Sequence, residues 1–219
     1  MKRTVFTIVA VSLAAASSPA GVRAEPALPA VAQFLTQARQ GAAPVIQTAG
    51  PAGQDGTIIG NLTEAQYIEL LQRLRTEPER YNAVMAVPDS GFAKLSGPGL
   101  EWFLYLTDRS RAAAILARVP AATWERFTFS DYRRLLSRLA DDQWLAVWSG
   151  KIPAGVWREV TLQQYHAAIT APRPTLRAID ATPAAYWTRL TAAELSRHMA
   201  WFPEEQAALL AAWTRAQTR

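Results

Sequence analysis

The stretch PAATWERFTFSDY, Pro120 to Tyr132, returns as PAGVWREVTLQQY from Pro153 to Tyr165 and as PAAYWTRLTAAEL from Pro183 to Leu195. A worn copy, PDSGFAKLSGPGL, runs from Pro88 to Leu100, and an earlier one keeps only its second half, NLTEAQY, from Asn61 to Tyr67. The shared Ser/Thr falls at Thr63, Ser96, Thr128, Thr161 and Thr191, with spacings of 33, 32, 33 and 30 residues. A fixed period of this length marks a repeat architecture, in which units too small to bury their own apolar faces stack on one another.

Each of these five residues reads as a helix N-cap, whose side-chain oxygen accepts from an otherwise orphan backbone N–H. Thr63, Thr161 and Thr191 are followed three residues later by Gln66, Gln164 and Glu194, the capping-box spacing. Thr128 has Asp131 there and Ser96 has Gly99, with Pro98 in the first turn, where proline is tolerated. Behind each cap runs one apolar stripe. It is Tyr67, Leu70, Leu71, Leu74 in the first copy and Leu100, Phe103, Leu104, Thr107 in the second. The third has Tyr132, Leu135, Leu136, Leu139, and the fifth Leu195, His198, Met199, Phe202. These positions follow the i, i+3, i+4, i+7 spacing of an amphipathic helix. The fourth copy begins the same way with Tyr165, Ala168 and Ile169 and breaks at Pro172.

Ahead of each cap a proline-led segment predicts a short helical turn with proline at its first position. Its fifth place is Phe92, Trp124, Trp157 or Trp187, with Ile59 in the first copy. After each capped helix a return helix is expected, with acidic starts at Glu77 and Glu79, Asp141 and Asp142, and Glu204 and Glu205. Acids there oppose the positive end of the helix dipole. The expected fold is therefore all-α. From Thr57 to Arg219 it is an α-solenoid-like array of five stacked helical repeats, each of about 32 residues. The period is close to that of tetratricopeptide repeats, but Pro-Ala-Ala-x-Trp…Thr is not their signature.

Residues 25–56 differ in composition, with Pro26, Pro29, Pro44 and Pro51 among Ala, Gly and Gln. Apart from one short helix between Val31 and Gln40, they carry too little apolar surface to offset ordering entropy, which predicts an extended arm. Residues 1–24 read as a secretory signal peptide. Lys2 and Arg3 are followed by an uncharged apolar run from Val5 to Ala16, and Val22-Arg23-Ala24 offers a cleavage site after Ala24. The run is shorter than the ~20 residues a bilayer span needs. The implied location is the periplasm, with no transmembrane segment in the mature chain.

The formal charge of +5 belongs partly to this leader. Without Lys2, Arg3 and Arg23, 20 of the 23 basic residues face 18 acids. Basic and acidic residues are interspersed, so the basic stripe of a nucleic-acid binder is missing. The chain has no cysteine, which excludes disulfides, thiolate metal sites and a lipid anchor on cysteine.

The residues that invite a chemical reading are mostly absorbed by the repeat. Phe92, Trp124, Trp157 and Trp187 hold equivalent positions, which suits a packing role. Trp144 and Trp148, one helical turn apart, are expected to form an exposed patch for a protein partner. His198 replaces Leu70 and Leu135 in the stripe, and His166 stands at a variable place; neither has a metal-binding spacing. The paired acids invite a glycan-hydrolase reading, yet they sit where helix starts favour acid. Nucleophile-elbow, phosphate-loop and dinucleotide motifs are absent, and Gly97 and Gly99 read as loop residues. No catalytic, cofactor or metal residues are therefore expected. The expected function is a non-catalytic accessory or scaffold subunit that binds and stabilises a larger complex of the cell envelope. The small subunit of a membrane-bound periplasmic dehydrogenase is one example, with peripheral membrane association through the partner. A cell-wall glycan enzyme and a carrier of apolar ligands or lipids in a Trp-lined groove are the alternatives.

Overall fold

The structure is a computed structural model that describes Thr36 and residues 57–59, 62–170 and 175–218. The expected signal peptide, nearly all of the expected arm and Pro172 lie outside the described residues. The described chain is mostly helical, with one two-stranded ladder. The capped helices are α1 (Glu64–Arg73), α4 (Gly97–Leu106), α7 (Phe129–Leu136), α10 (Leu162–Ile169) and α13 (Ala192–Trp201). The proline-led turns are α3 (Asp89–Phe92), α6 (Ala121–Trp124), α9 (Ala154–Glu159) and α12 (Ala184–Trp187). The return helices are α2 (Glu77–Ala86), α5 (Ala112–Ala117), α8 (Asp141–Gly150), α11 (Thr175–Ala181) and α14 (Gln206–Gln217). Among the described residues, no helix is long and apolar enough to cross a membrane.

Thr63, Thr128, Thr161 and Thr191 stand at N-caps and accept from the backbone N–H of Gln66, Asp131, Gln164 and Glu194, whose side chains bond back to the cap N–H. Ser96 accepts from Gly99 N–H, but glycine has nothing to return. Glu64 of the preceding copy supplies the missing half: its carboxylate accepts from Ser96 N–H at 2.7 Å and from the Ser96 hydroxyl at 2.6 Å. A Cβ on Gly99 would lie 2.2 Å from Glu64 Cδ, and one on Gly97 2.5 Å from Asp131 Cβ. These two glycines are therefore not loop residues. They begin α4 and let acids from both neighbouring copies approach its backbone. A box not read from the sequence closes α2, where Thr76 accepts from Glu79 N–H and Glu79 bonds back to Thr76 N–H. Thr128→Ala and Thr191→Ala should each cost about 1 kcal/mol in urea unfolding, the usual value of a cap.

Two further details differ from the sequence reading. Pro88, Pro120, Pro153 and Pro183 are N-caps with extended ψ, one residue earlier than the first helical position. The carbonyl of Pro88 already accepts from Gly91 and Phe92 N–H at 2.8 and 3.0 Å. The chain also does not start helical at Thr57. Strand β1 (Thr57–Ile59) pairs antiparallel with β2 (Leu62–Thr63), as suits the β-branched Ile58-Ile59. The strand packs against α3 in place of a proline-led turn. The third residue of α3 must then be small, because a Cβ on Gly91 would lie 2.1 Å from the Ile58 carbonyl oxygen. Gly91→Ala is expected to destabilise by about 2 kcal/mol through this backbone clash, and unchanged urea unfolding would contradict the packing.

Several like elements pack on like, while the turn α12 lies on the return helix α14. Helix α1 lies on α4, α4 on α7, and α10 on α13; among the return helices α8 lies on α11 and α11 on α14; the turn α9 lies on α12. The stripe residues Tyr67, Leu71, Leu100, Phe103, Tyr132, Leu135, Tyr165 and Ile169 are fully buried and form one apolar core. Arginines tie neighbours together by donating to carbonyls at the ends of preceding elements. Arg118 donates to Met85 O at 2.6 Å, Arg126 to Ala93 O at 2.5 Å, and Arg189 to Val160 O. The cation complements the negative end that helical peptides present there.

Candidate functional site: an outward aromatic corner on α4

Most of the large aromatics are spent on the core. Phe92, Trp124, Trp157 and Trp187 are buried. Trp144 and Trp148 are buried too, at 3 % and 0 % exposure, so they do not form an exposed partner patch. The reason is their spacing: four residues apart, both fall on the inner face of α8. Their rings stack at 4.7 Å, and Trp148 meets Trp157 edge-on at 4.8 Å. The Trp148 indole N–H donates to Thr182 Oγ1 at 3.0 Å and Ala178 O at 3.1 Å. The Thr182 hydroxyl in turn bonds Tyr165 OH at 2.9 Å and donates to Ala178 O at 2.7 Å. An indole that satisfies its N–H inside the core is an architectural residue.

His198 is equally internal. Its Nε2 lies 2.5 Å from Tyr186 OH, whose ring stacks on Tyr165 at 4.3 Å, and its Nδ1 has no partner. Burial holds this imidazole down to a pKa of about 4, helped by the nearby Arg189 cation and by His166. His166 packs against the rings of Trp201 and Phe202 at 4.9 Å each. The Glu194 carboxyl is held below its ordinary range by the Thr191 cap N–H and hydroxyl, and that of Asp108 by Ser110 in a turn. These shifts follow from caps, turns and burial. Among the described residues, no three of His, Cys, Asp and Glu come together as a metal site would require.

Trp102 and Tyr105 depart from this pattern. They are 39 % and 56 % exposed on the outer face of α4. Their rings meet at 84° with centroids 5.4 Å apart, making a corner. Arg138, just beyond α7, lays its guanidinium over the Tyr105 ring at 4.8 Å and pairs with Glu101 at 3.1 Å. These four residues line a cavity of about 470 Å³, within the range of small ligand sites. The cavity holds a single carboxylate, already paired, so the two acids that glycoside hydrolysis uses would have to lie elsewhere.

The sequence did carry a signal for this corner, at the sixth and ninth places after each cap. Those places hold Glu69 and Gln72, Arg134 and Ser137, Ala167 and Thr170, and Arg197 and Ala200 in the other copies, all exposed. At those two places only the second copy has Trp and Tyr; Trp201, 44 % exposed, stands one place further on in the fifth copy. The departure is visible once the copies are aligned by their caps, whereas Trp144 and Trp148, one helical turn apart, share the spacing but are buried. Compared with protein-family models, curated proteins and solved structures, the chain matches none of them.

Proposed function

We propose that this chain is a non-catalytic accessory subunit of the periplasm, exported by residues 1–24, that stabilises a larger envelope complex and contacts it through Trp102 and Tyr105. Residues 57–219 act as an array of five copies. This reading is supported by the recurring caps and by several like elements packing on like. The observation that carries the proposed role is the aromatic pair at outer positions that are small or polar in every other copy. A half-exposed Trp beside Tyr and Arg has the composition of an interface hot spot. A membrane-bound periplasmic dehydrogenase with a small third subunit is one complex of the right kind, and the chain would then meet the membrane only through its partner.

Carriage of a small apolar ligand is a second reading that the cavity volume favours. The Glu101–Arg138 pair weighs against it, because an apolar occupant would desolvate both charges without replacing their water. Purification from native envelope in gentle detergent tests the main reading. The chain is expected to elute with a partner, well above the 24.0 kDa it would have even with residues 1–24 attached, and the double variant W102A/Y105A to elute alone. Recovery of the unaltered chain only as a free monomer would overturn the role.

A further inference from the structure

We infer that Tyr186 is a redox-active tyrosine: it gives up an electron to a one-electron oxidant, such as the carbonate radical, that arrives at the surface beside Trp201, while its phenolic proton moves to His198. The base set against its hydroxyl is what selects it. Among the other buried tyrosines, Tyr67 donates to the Ala83 carbonyl at 2.6 Å, Tyr132 to the carbonyls of Trp124 and Lys151 at 2.5 and 3.1 Å, and Tyr165 bonds the Thr182 hydroxyl at 2.9 Å. None of these carbonyls and hydroxyls is a base. The Tyr186 hydroxyl instead lies 2.5 Å from His198 Nε2.

Packing does not call for this imidazole. The other copies place Leu70, Phe103, Leu135 and Ala168 at the same distance from the cap. Keeping a histidine there costs stability, because it is fully buried and its Nδ1 has no hydrogen-bond partner. Burial also keeps the ring neutral at pH 7, and the tautomer protonated at Nδ1 leaves Nε2 as the acceptor. Oxidation removes one electron from the phenol, and the O–H proton crosses the existing hydrogen bond. The products are a neutral phenoxyl radical, an imidazolium and an oxidant reduced by one electron. The Arg189 guanidinium lies over the Tyr186 ring at 4.9 Å and opposes the new cation, so the proton returns when the radical is reduced and the pair resets. The route outward is short. Trp201 is 44 % exposed and meets His198 edge-on at 6.1 Å, and His198 meets Tyr186 at 5.8 Å. One imidazole therefore separates a surface indole from the buried phenol.

Flash photolysis of the full chain with ruthenium(II) tris-bipyridine and persulfate makes a one-electron oxidant in solution and tests the assignment. The substitutions Y81F/Y105F first remove the two tyrosines that are not buried. In that background a phenoxyl radical is expected, and difluorotyrosine at position 186, which keeps the hydroxyl and the packing, should shift its electron paramagnetic resonance spectrum. Tyr165→Phe, which removes a phenol stacked on Tyr186 but without a base, should leave the yield unchanged. Trp201→Phe should lower the yield several-fold. His198→Leu should slow radical formation at least about tenfold, as loss of a positioned proton acceptor does, and remove the slowing that heavy water causes in the unaltered pair. An unshifted spectrum, indolyl radicals alone, or equal rates and equal heavy-water effects in H198L would each overturn the assignment, and an undiminished yield in W201F would overturn the route.

Discussion

Trp148→Ala is expected to lower stability by about 4 kcal/mol, the middle of the range for emptying a core site of an aromatic. For a chain of this size that corresponds to a fall in Tm of roughly 10 °C. Three losses combine. The cavity opens between Trp144 and Trp157, which both pack on Trp148. The tie from α8 to α11 disappears, because the indole N–H reaches Ala178 in α11 and Thr182 just after it. Thr182 Oγ1 then loses the donor it had in Trp148 and keeps only its bonds to Tyr165 and Ala178. Urea unfolding followed by circular dichroism measures the effect. A loss below about 1 kcal/mol, the scale of an ordinary surface change, would mean that α8 and α11 are not joined as described.

The second large effect is a dependence on pH that resides in His198. Its folded pKa is about 4 and its ordinary value 6.5, so the unfolded chain takes up the proton first. Stability from this group is complete above pH 6.5, falls as pH drops from 6.5 towards 4, and is flat below that. The loss across the window should be about 2 kcal/mol, less than the full conversion of the shift. The titratable and charged groups facing the ring are Tyr186 and Tyr165, Arg189, His166 and Glu194, and Trp187, Trp201 and Phe202 complete its surroundings. Of these only Glu194 favours the charged form.

Carboxylates held low by caps also lose stability in acid, so the diagnostic quantity is the difference from His198→Leu, the residue found at the equivalent Leu70 and Leu135. That variant should lack the step between pH 6.5 and 4. It should also be weakened at pH 7, because the Tyr186 hydroxyl is left buried without its partner. Adding Tyr186→Phe should recover part of that loss. An H198L profile parallel to that of the unaltered chain would contradict the buried neutral imidazole.

The parts of this fold that could be read from the chain are those written within one copy. A cap and its partner lie three residues apart, and a stripe fills two turns, so Thr161 with Gln164 or Tyr132 with Leu135 and Leu136 needs no knowledge of neighbours. What escaped lies between copies. Glu64 completes the cap of Ser96 from 32 residues away, and no local rule links them. Gly97 and Gly99 look like loop residues until the acids beside them are placed. Trp144 and Trp148 look like a surface pair until α11 covers them. Gly91 is unremarkable until strand β1 sets a carbonyl against it. The aromatic corner was hidden for a different reason: it breaks the pattern, and a search for what the copies share passes over it.

The most direct test of the central claim is a photo-crosslinking residue at position 105 in living cells, compared with one at position 137, the equivalent outer site of the third copy. The expected result is a defined adduct with one partner polypeptide from position 105, none from position 137, and loss of the first when Trp102 is Ala. Equal adducts from both sites, or none from position 105, would contradict the placement of function on the corner where the repeat is broken.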